Sequence, residues 1–430
     1  MGLSIIMNNN LKSSGFRALL ATQFLGAFND NAFKLIISFI AVEHMIKSAA
    51  GAQYLSAASA FFILPFLFFS SYAGFFADRV SKRTIMIYAK FAELAIMALG
   101  MIALFSGNFA FIYAVLFLMG TQSAFFGPAK YGILPEVLTE EEISEGNGLM
   151  QMWTFLAIIL GMAFGGFLMT AVKGKAYLGS IAFIIISLLG IITSFYIHKV
   201  LPSGSKRKFQ INFLSDIWST IKIIKKKRQM YLSMTGIVYF WFLGALFQLN
   251  ILLYTSKMMH VSQLATGLLL TVVALGVGTG SFLAGKLSRG RIEFGFVPLG
   301  SVGLSIFSIL LAFSYTSIPF TVICLIFLGI SSGFFVIPLN AYIQENSPKD
   351  SRGKFLATTN FLSFTGILAA SGMLWLILEV IGLSPAGAFG FLGGLTIIAT
   401  IYVVLLLPDS FSRFLALTSV EKLQRTVERN

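Results

Sequence analysis

Gly74-Phe75-Phe76-Ala77-Asp78-Arg79-Val80-Ser81-Lys82-Arg83 closes one long apolar run and is followed at once by another. Two runs of roughly 20 residues on either side of a short charged turn read as a pair of membrane helices. A related turn, Ala284-Gly285-Lys286-Leu287-Ser288-Arg289-Gly290, begins 207 residues after Ala77. A second stretch, Phe125-Phe126-Gly127-Pro128-Ala129-Lys130-Tyr131-Gly132-Ile133-Leu134-Pro135-Glu136, has a counterpart in Phe334-Phe335-Val336-Ile337-Pro338-Leu339-Asn340-Ala341-Tyr342-Ile343-Gln344-Glu345, 209 residues further on. Two independent matches at nearly one spacing indicate that the chain is a duplication of its own half.

Working outward from these turns, apolar runs fall at about 17–46, 53–76, 84–106, 109–130, 149–172, 177–200, 230–256, 263–287, 296–316, 318–342, 355–379 and 385–407. Twelve spans at about 20 residues each use most of the 430 residues. Helices are expected throughout, because a segment in lipid must satisfy its own backbone hydrogen bonds. Alternating barrel strands do not fit such continuous runs. Composition agrees: 57% of residues are hydrophobic and 11% charged, where soluble domains carry about 25% charged residues. Mean hydropathy is +0.86, which argues against a water-soluble enzyme. The 45 Phe suit lipid-facing and packing surfaces, and the 40 Gly suit close helix contact. A single Cys, Cys324, excludes an intrachain disulfide, and the three His form no metal-ligand cluster. The fold class that follows is all-α membrane protein, with twelve helices in two six-helix pseudo-symmetric bundles.

The net charge of +14 reads as topology, not as nucleic-acid binding. With both termini in the cytoplasm, 25 of the 31 Lys and Arg fall on the cytoplasmic side. Lys47, Lys173, Lys175 and Lys257 fall outside, and Lys34 and Lys90 lie within spans. That asymmetry fixes the orientation. No cleavage site follows the first apolar stretch, so the span starting near Phe16 is expected to persist in the mature protein. The chain divides into residues 1–200, a basic linker 201–229, residues 230–407 and a cytoplasmic tail 408–430. In the linker, Phe213, Leu214, Ile217, Trp218, Ile221 and Ile224 recur at helical spacing among Lys206, Arg207, Lys208, Lys222 and Lys225–Arg228. This reads as an amphipathic helix on anionic lipid, or equally as a linker held by the positive-inside rule.

Gly74-x3-Asp78-Arg79-x2-Lys82-Arg83 resembles the loop 2–3 signature of the major facilitator superfamily, with Ser81 where that signature usually has Gly. Its physics is local. Asp78 suits the N-terminal end of a neighbouring helix, while Arg79, Lys82 and Arg83 suit carboxylates across the interface of the halves. Three stretches resemble the bacterial lysophospholipid transporter (LplT) family more narrowly. They are Gln23–Asn31; Pro128–Leu134 followed by Gly146–Met150; and Gly333–Asn340 followed by Gln344-Glu345. The resemblance implies a secondary transporter of the bacterial inner membrane. It would flip lysophospholipid from the outer to the inner leaflet by alternating access and so supply a cytoplasmic acyltransferase. The alternatives are an exporter of another amphiphile, such as a siderophore or drug, and a non-transporting membrane scaffold for an acyltransferase. The family's span 1 Asp falls on Asp30, its Pro-Ala-Lys-Tyr-Gly lysine on Lys130, and its span 7 Arg on Gln248, a departure that removes a cation.

The residues themselves mark a polar face. Gln23, Ala27, Asp30 and Lys34 are spaced by four, three and four, so they share one side of a helix. A carboxylate deep in a span is costly and marks function by default. The readings for Asp30 are a head-group or coupling-ion site (H⁺ or Na⁺), or a structural pair with Lys34. Asn31, Gln122, Ser123, Gln248, Asn250, Tyr254 and Asn340 add polar candidates on spans 1, 4, 7 and 10, which line the cavity in the superfamily that the chain resembles. Lys90 and Glu93, three apart in span 3, are expected to pair with each other unless Lys90 snorkels. Glu136, Glu140, Glu141, Glu142 and Glu145 read as a solvated acidic loop that also attracts basic residues of the other half, and Gly161, Gly165 and Gly166 as packing positions. No Ser/His/Asp set or phosphate loop is present. The reading is therefore a carrier and not an enzyme, without cofactor, metal or nucleic-acid partner.

Overall fold

The computed structural model describes residues 10–47, 51–172, 175–406 and Arg413. The tail 408–430, apart from Arg413, and Lys173 lie outside the described residues. Thirteen helices carry the architecture: α1 Ser14–Lys47, α2 Gly51–Arg79, α3 Lys82–Ser106, α4 Phe109–Gly132, α5 Ile143–Ala171, α6 Ala176–Phe195, α7 Phe213–Lys225, α8 Arg228–Lys257, α9 Gln263–Leu287, α10 Phe296–Ser314, α11 Ile318–Asn346, α12 Arg352–Trp375 and α13 Pro385–Leu406. All twelve expected spans are helices, and no strand occurs among the described residues. Ten of them are long and apolar enough to cross a membrane. α1 carries Arg17, Asp30 and Lys34 along its length, and α13 contributes the shorter apolar stretch Pro385–Ile401. Two ends differ from the sequence reading by five residues or more. α5 starts at Ile143, directly after a 3-10 turn, Glu140–Glu142, that a capping box of Thr139 and Glu142 opens. α6 stops at Phe195, five residues before the expected end.

Local signals account for the tight turns. Gly107 ends α3 with φ at +64°, which glycine adopts without steric cost, and the next residue, Asn108, caps α4 by accepting from the N–H groups of Ala110 and Phe111. α7 is the expected amphipathic helix. It buries Asp216, Ile217, Thr220 and Ile224 and leaves Leu214 and Trp218 exposed.

The helices cluster into two compact units. The first holds residues 1–146, 160–213 and 347–357; the second holds 147–159, 214–346 and 358–430. In the first, Phe33, Ile36 and Ile37 of α1 pack among Met97 of α3, Val115 and Met119 of α4, and Phe183 of α6. Gly161 and Gly165 of α5 lie against the α1 backbone at Phe28 and Ala32, as packing positions should, whereas Gly166 faces open space. In the second, Gly276 and Gly280 of α9 meet Gly329 and Gly333 of α11 backbone to backbone; a Cβ on Gly333 would stand 2.2 Å from the Ser281 nitrogen. Such small-residue contacts are how helices gain van der Waals contact in lipid.

Candidate functional site

Asn29, Asp30 and Asn31 are consecutive on α1, so their side chains leave the helix in three directions, about 100° apart. Each finds a different partner. Asn31 bonds its own helix at the Ala27 carbonyl, 2.7 Å away. Asn29 is fully buried and reaches Ser187 Oγ (2.9 Å), the Phe183 carbonyl (3.1 Å) and Glu93 Oε1 (3.2 Å). Asp30 accepts from Ser123 of α4 at 2.9 Å through Oδ2, while its Oδ1 is buried with no hydrogen-bond partner. Gln122, beside Ser123, is buried as well and turns its Oε1 to the same hydroxyl.

Behind this face sits a charged knot. Lys90 and Glu93 of α3 are each 1% exposed and pair at 2.6 Å, as their spacing predicts. The other carboxylate oxygen of Glu93 takes Asn29 and, at 3.4 Å, Ser187. Lys90 extends so close to α1 that a Cβ on Gly26 would stand 2.5 Å from Nζ. Removing one partner of such a pair strands a charge in apolar surroundings. The sequence placed Glu93 next to Lys90 but gave no sign that Glu93 also reaches Asn29.

On this face the ammonium groups of Lys34 and Lys130 form no ion pair with a carboxylate among the described residues. The Lys34 ammonium lies 4.2 Å from the Phe62 ring centroid, and that of Lys130 lies 4.8 Å from the Tyr131 ring centroid. The Asp30–Lys34 ion pair open to sequence reading is not formed: Lys34 turns to the Phe62 ring and Asp30 to a hydroxyl. Both lysines nevertheless lie within electrostatic reach of Asp30. The result, within the first unit, is a polar face with one carboxylate and two free ammonium groups. Gln23, on the same side of α1, is buried.

The second unit treats its sequence candidates differently. Asn250 donates to the Pro385 carbonyl at 2.9 Å, and Tyr254 donates to the Leu311 carbonyl at 2.7 Å while packing edge-on against Phe389. Both are buried ties from α8 to α13 and α10. Gln248 is exposed and Asn340 half-buried.

The Gly74–Arg83 turn is built around a helix end. Asp78 accepts from the N–H groups of Gly353 (2.5 Å) and Lys354 (3.0 Å), the first turn of α12, where a carboxylate is favoured by unpaired donors and the helix dipole. Gly74 permits the approach, since a Cβ there would stand 2.6 Å from the Ala357 Cβ. Arg207 lies 3.6 Å from Asp78 Oδ2, and Ser203 donates to the Asp78 carbonyl. Neither linker residue was marked by its sequence context. The basic residues depart from expectation. Lys82 pairs with Glu136 at 2.5 Å, which removes Glu136 from the solvated set. Glu142 leaves it too, by bonding Asn10. Arg83 binds no carboxylate; it donates to the Phe195 and Ile197 carbonyls at the end of α6. Arg79 is exposed and lies over the Phe75 ring at 5.3 Å.

The second unit holds the counterpart of this turn. A Cβ on Gly148, at the start of α5, would stand 2.5 Å from the Ser281 carbonyl of α9. Beside it, Asn147 and Gln344 exchange two amide hydrogen bonds of 2.8 Å.

Comparison with known proteins agrees with this architecture. The family model described as Major Facilitator Superfamily matches residues 19–371. A protein of Yersinia enterocolitica serotype O:8 / biotype 1B named lysophospholipid transporter LplT is 27% identical over 387 residues, covering 88% of this chain and 91% of its own length. The protein of the same name from Yersinia pestis (strain Pestoides F) is 26% identical over the same extent. Among solved structures, the human organic anion transporter MFSD10 (TETRAN) superposes with a TM-score of 0.74 at 15% identity, covering 90% of this chain and 99% of its own. The E. coli fucose:proton symporter FucP gives 0.71 at 14% identity, covering 91% and 98%. These relatives and folds are those of transporters and not of enzymes. The two six-helix halves, the Asp78 contact with a helix end and the match over most of its length place the chain in the Major Facilitator Superfamily.

Proposed function

We propose that the protein carries lysophospholipid across the bacterial inner membrane, from outer to inner leaflet, by alternating access. The observation that carries the reading is the polar face around Asp30. Lys34 and Lys130 are cations without carboxylate partners beside a carboxylate with one unpartnered oxygen. A zwitterionic head group offers the matching set, phosphate for the ammonium groups and amine for Asp30, and burying either charge unpaired is costly. The names of the Yersinia relatives support the same substrate class. The excess of basic residues on one side supports both termini in the cytoplasm, where an acyltransferase would consume the product. The α7 surface, with Trp218 exposed and the Lys222 and Lys225 ammonium groups each 6.0 Å from its ring centroid, suits anionic lipid. Asp30 is the candidate site for a coupling ion, H⁺ or Na⁺.

The test is uptake of labelled lysophospholipid into proteoliposomes holding the purified protein, with and without a proton or sodium gradient. Transport is expected, together with its loss in Lys130→Ala at normal reconstitution levels. A protein that moves no lysophospholipid is a scaffold or carries another amphiphile. Full transport by Lys130→Ala takes that residue out of the site.

A further inference from the structure

The space enclosed by α1, α3, α4 and α6 in the first unit is filled by built-in side chains. The Lys90 stem passes Gly190, where an added Cβ would stand 3.1 Å from Lys90 Cδ, and carries Nζ to 5.5 Å from the Phe126 ring centroid. The corresponding helices of the second half, α8, α10, α11 and α13, enclose a cavity of about 250 Å³ instead. Phe335, 209 residues after Phe126, lines it together with Thr235, Tyr239, Pro298, Ser301 and Thr396. No charged side chain takes part.

The hydroxyl groups of this lining are committed elsewhere. Thr235 donates to the Tyr231 carbonyl, Ser301 to that of Pro298 and Thr400 to that of Thr396, and Tyr239 bonds the Thr396 hydroxyl. A buried water needs about two to four polar partners, and these walls leave few. Thr235, Tyr239, Ala399 and Thr400 keep part of their surface exposed, so the cavity is not sealed. A dry cavity of about 150 Å³ takes one benzene ring, so this one has room for on the order of ten carbon atoms. The filled counterpart shows what fits between four such helices: a linear aliphatic stem.

We propose that the cavity between α8, α10, α11 and α13 is a binding site for one linear hydrocarbon chain, the acyl tail of an amphiphile. The choice of a lysophospholipid as that amphiphile rests on the transport reading; the preference for a hydrocarbon chain does not. Two sources supply such a tail, a carried single-chain lipid and a two-chain bilayer lipid.

Photolabelling separates them. Full-length protein in phospholipid nanodiscs is irradiated with lysophosphatidylethanolamine bearing a diazirine at the tail terminus, and separately with a two-chain phosphatidylcholine bearing the same group. Label is expected on the peptides holding Thr235–Tyr239, Pro298–Ser301 or Thr396–Thr400. It should fall at least five-fold in Ala399→Phe, which plugs the cavity from its rim. Thr400→Leu serves as a milder plug if the first variant is not monodisperse. Label from the single-chain probe alone assigns the site to a carried amphiphile, and label from both assigns it to tails in general. Labelling without lysophospholipid transport keeps the site and sinks the transport reading. Absence of label on these peptides with either probe, or label undiminished in a folded plug variant, overturns the proposal.

Discussion

Asn147 and Gln344 bind each other through both of their amides, 197 residues apart in sequence and each donating at 2.8 Å. Both are almost wholly buried. In the second unit this neutral pair adjoins the close approach of Gly148 to Ser281, whereas in the first the ion pair Lys82–Glu136 stands near the contact of Asp78 with a helix end. A neutral reciprocal pair is satisfied without net charge, so its strength is insensitive to salt.

Asn147→Ala strands the buried Gln344 amide and is expected to destabilise the protein by about 1–3 kcal/mol, the cost of an unsatisfied polar group. Asn147→Leu/Gln344→Leu removes both polar groups and should recover most of that loss. Apparent Tm in detergent for the two single variants and the double checks this; additive losses would mean that the two amides act independently.

Glu93→Leu leaves Lys90 buried without its partner and is expected to cost about 3–5 kcal/mol. Lys90→Met/Glu93→Leu should be far milder, since an apolar pair of similar volume replaces the ion pair. The comparison is made on the membrane yield and thermal stability of each variant. Equal damage in single and double variants would show that Asn29 and Ser187, and not Lys90, depend on Glu93.

Because Asp30 and Lys34 form no ion pair, Asp30→Asn/Lys34→Gln is not expected to rescue Asp30→Asn. The single variant should keep its fold and lose gradient-driven accumulation of substrate while still binding it. Recovery of uptake in the double variant would restore the structural pairing that this geometry lacks.

Asp78→Asn keeps the shape but removes the charge that faces the first turn of α12, an interaction of roughly 0.3–2 kcal/mol. A loss of that size shifts a two-state population several-fold. Spin labels at Phe76 and Asp350, both exposed, should show a longer mean distance or a new long component. An unchanged distribution would leave the motif as a topology signal alone.

The spans were legible because twenty-residue apolar runs leave the backbone no alternative to helix. Asp78 was legible for a similar reason, since a lone carboxylate at a helix-connecting turn seeks unpaired N–H donors. The partners of the polar residues of α8 were not legible. Asn250 and Tyr254 sit at helical spacing, like residues facing a cavity, yet their partners are backbone carbonyls 135 and 57 residues away. Sequence spacing records which residues share a face but not which neighbour that face meets. Lys34 illustrates the same limit. Four residues from Asp30 it has the reach for an ion pair, but it lies over the Phe62 ring of α2 instead. Arg207 and Ser203 were hidden in a linker whose basic character already had a topological explanation.

The Lys90–Glu93 pair has a bearing on how the protein is made. Its two members are three residues apart on one helix, so they meet as soon as α3 forms and need no other segment to do so. α3 therefore enters the bilayer during synthesis as a segment that carries its own counter-ion. Pairing within α3 lowers the cost of placing a lysine and a glutamate in lipid without any contribution from α6. Asn29 of α1, made before α3, and Ser187 of α6, made after it, add hydrogen bonds to a carboxylate that its own helix already pairs.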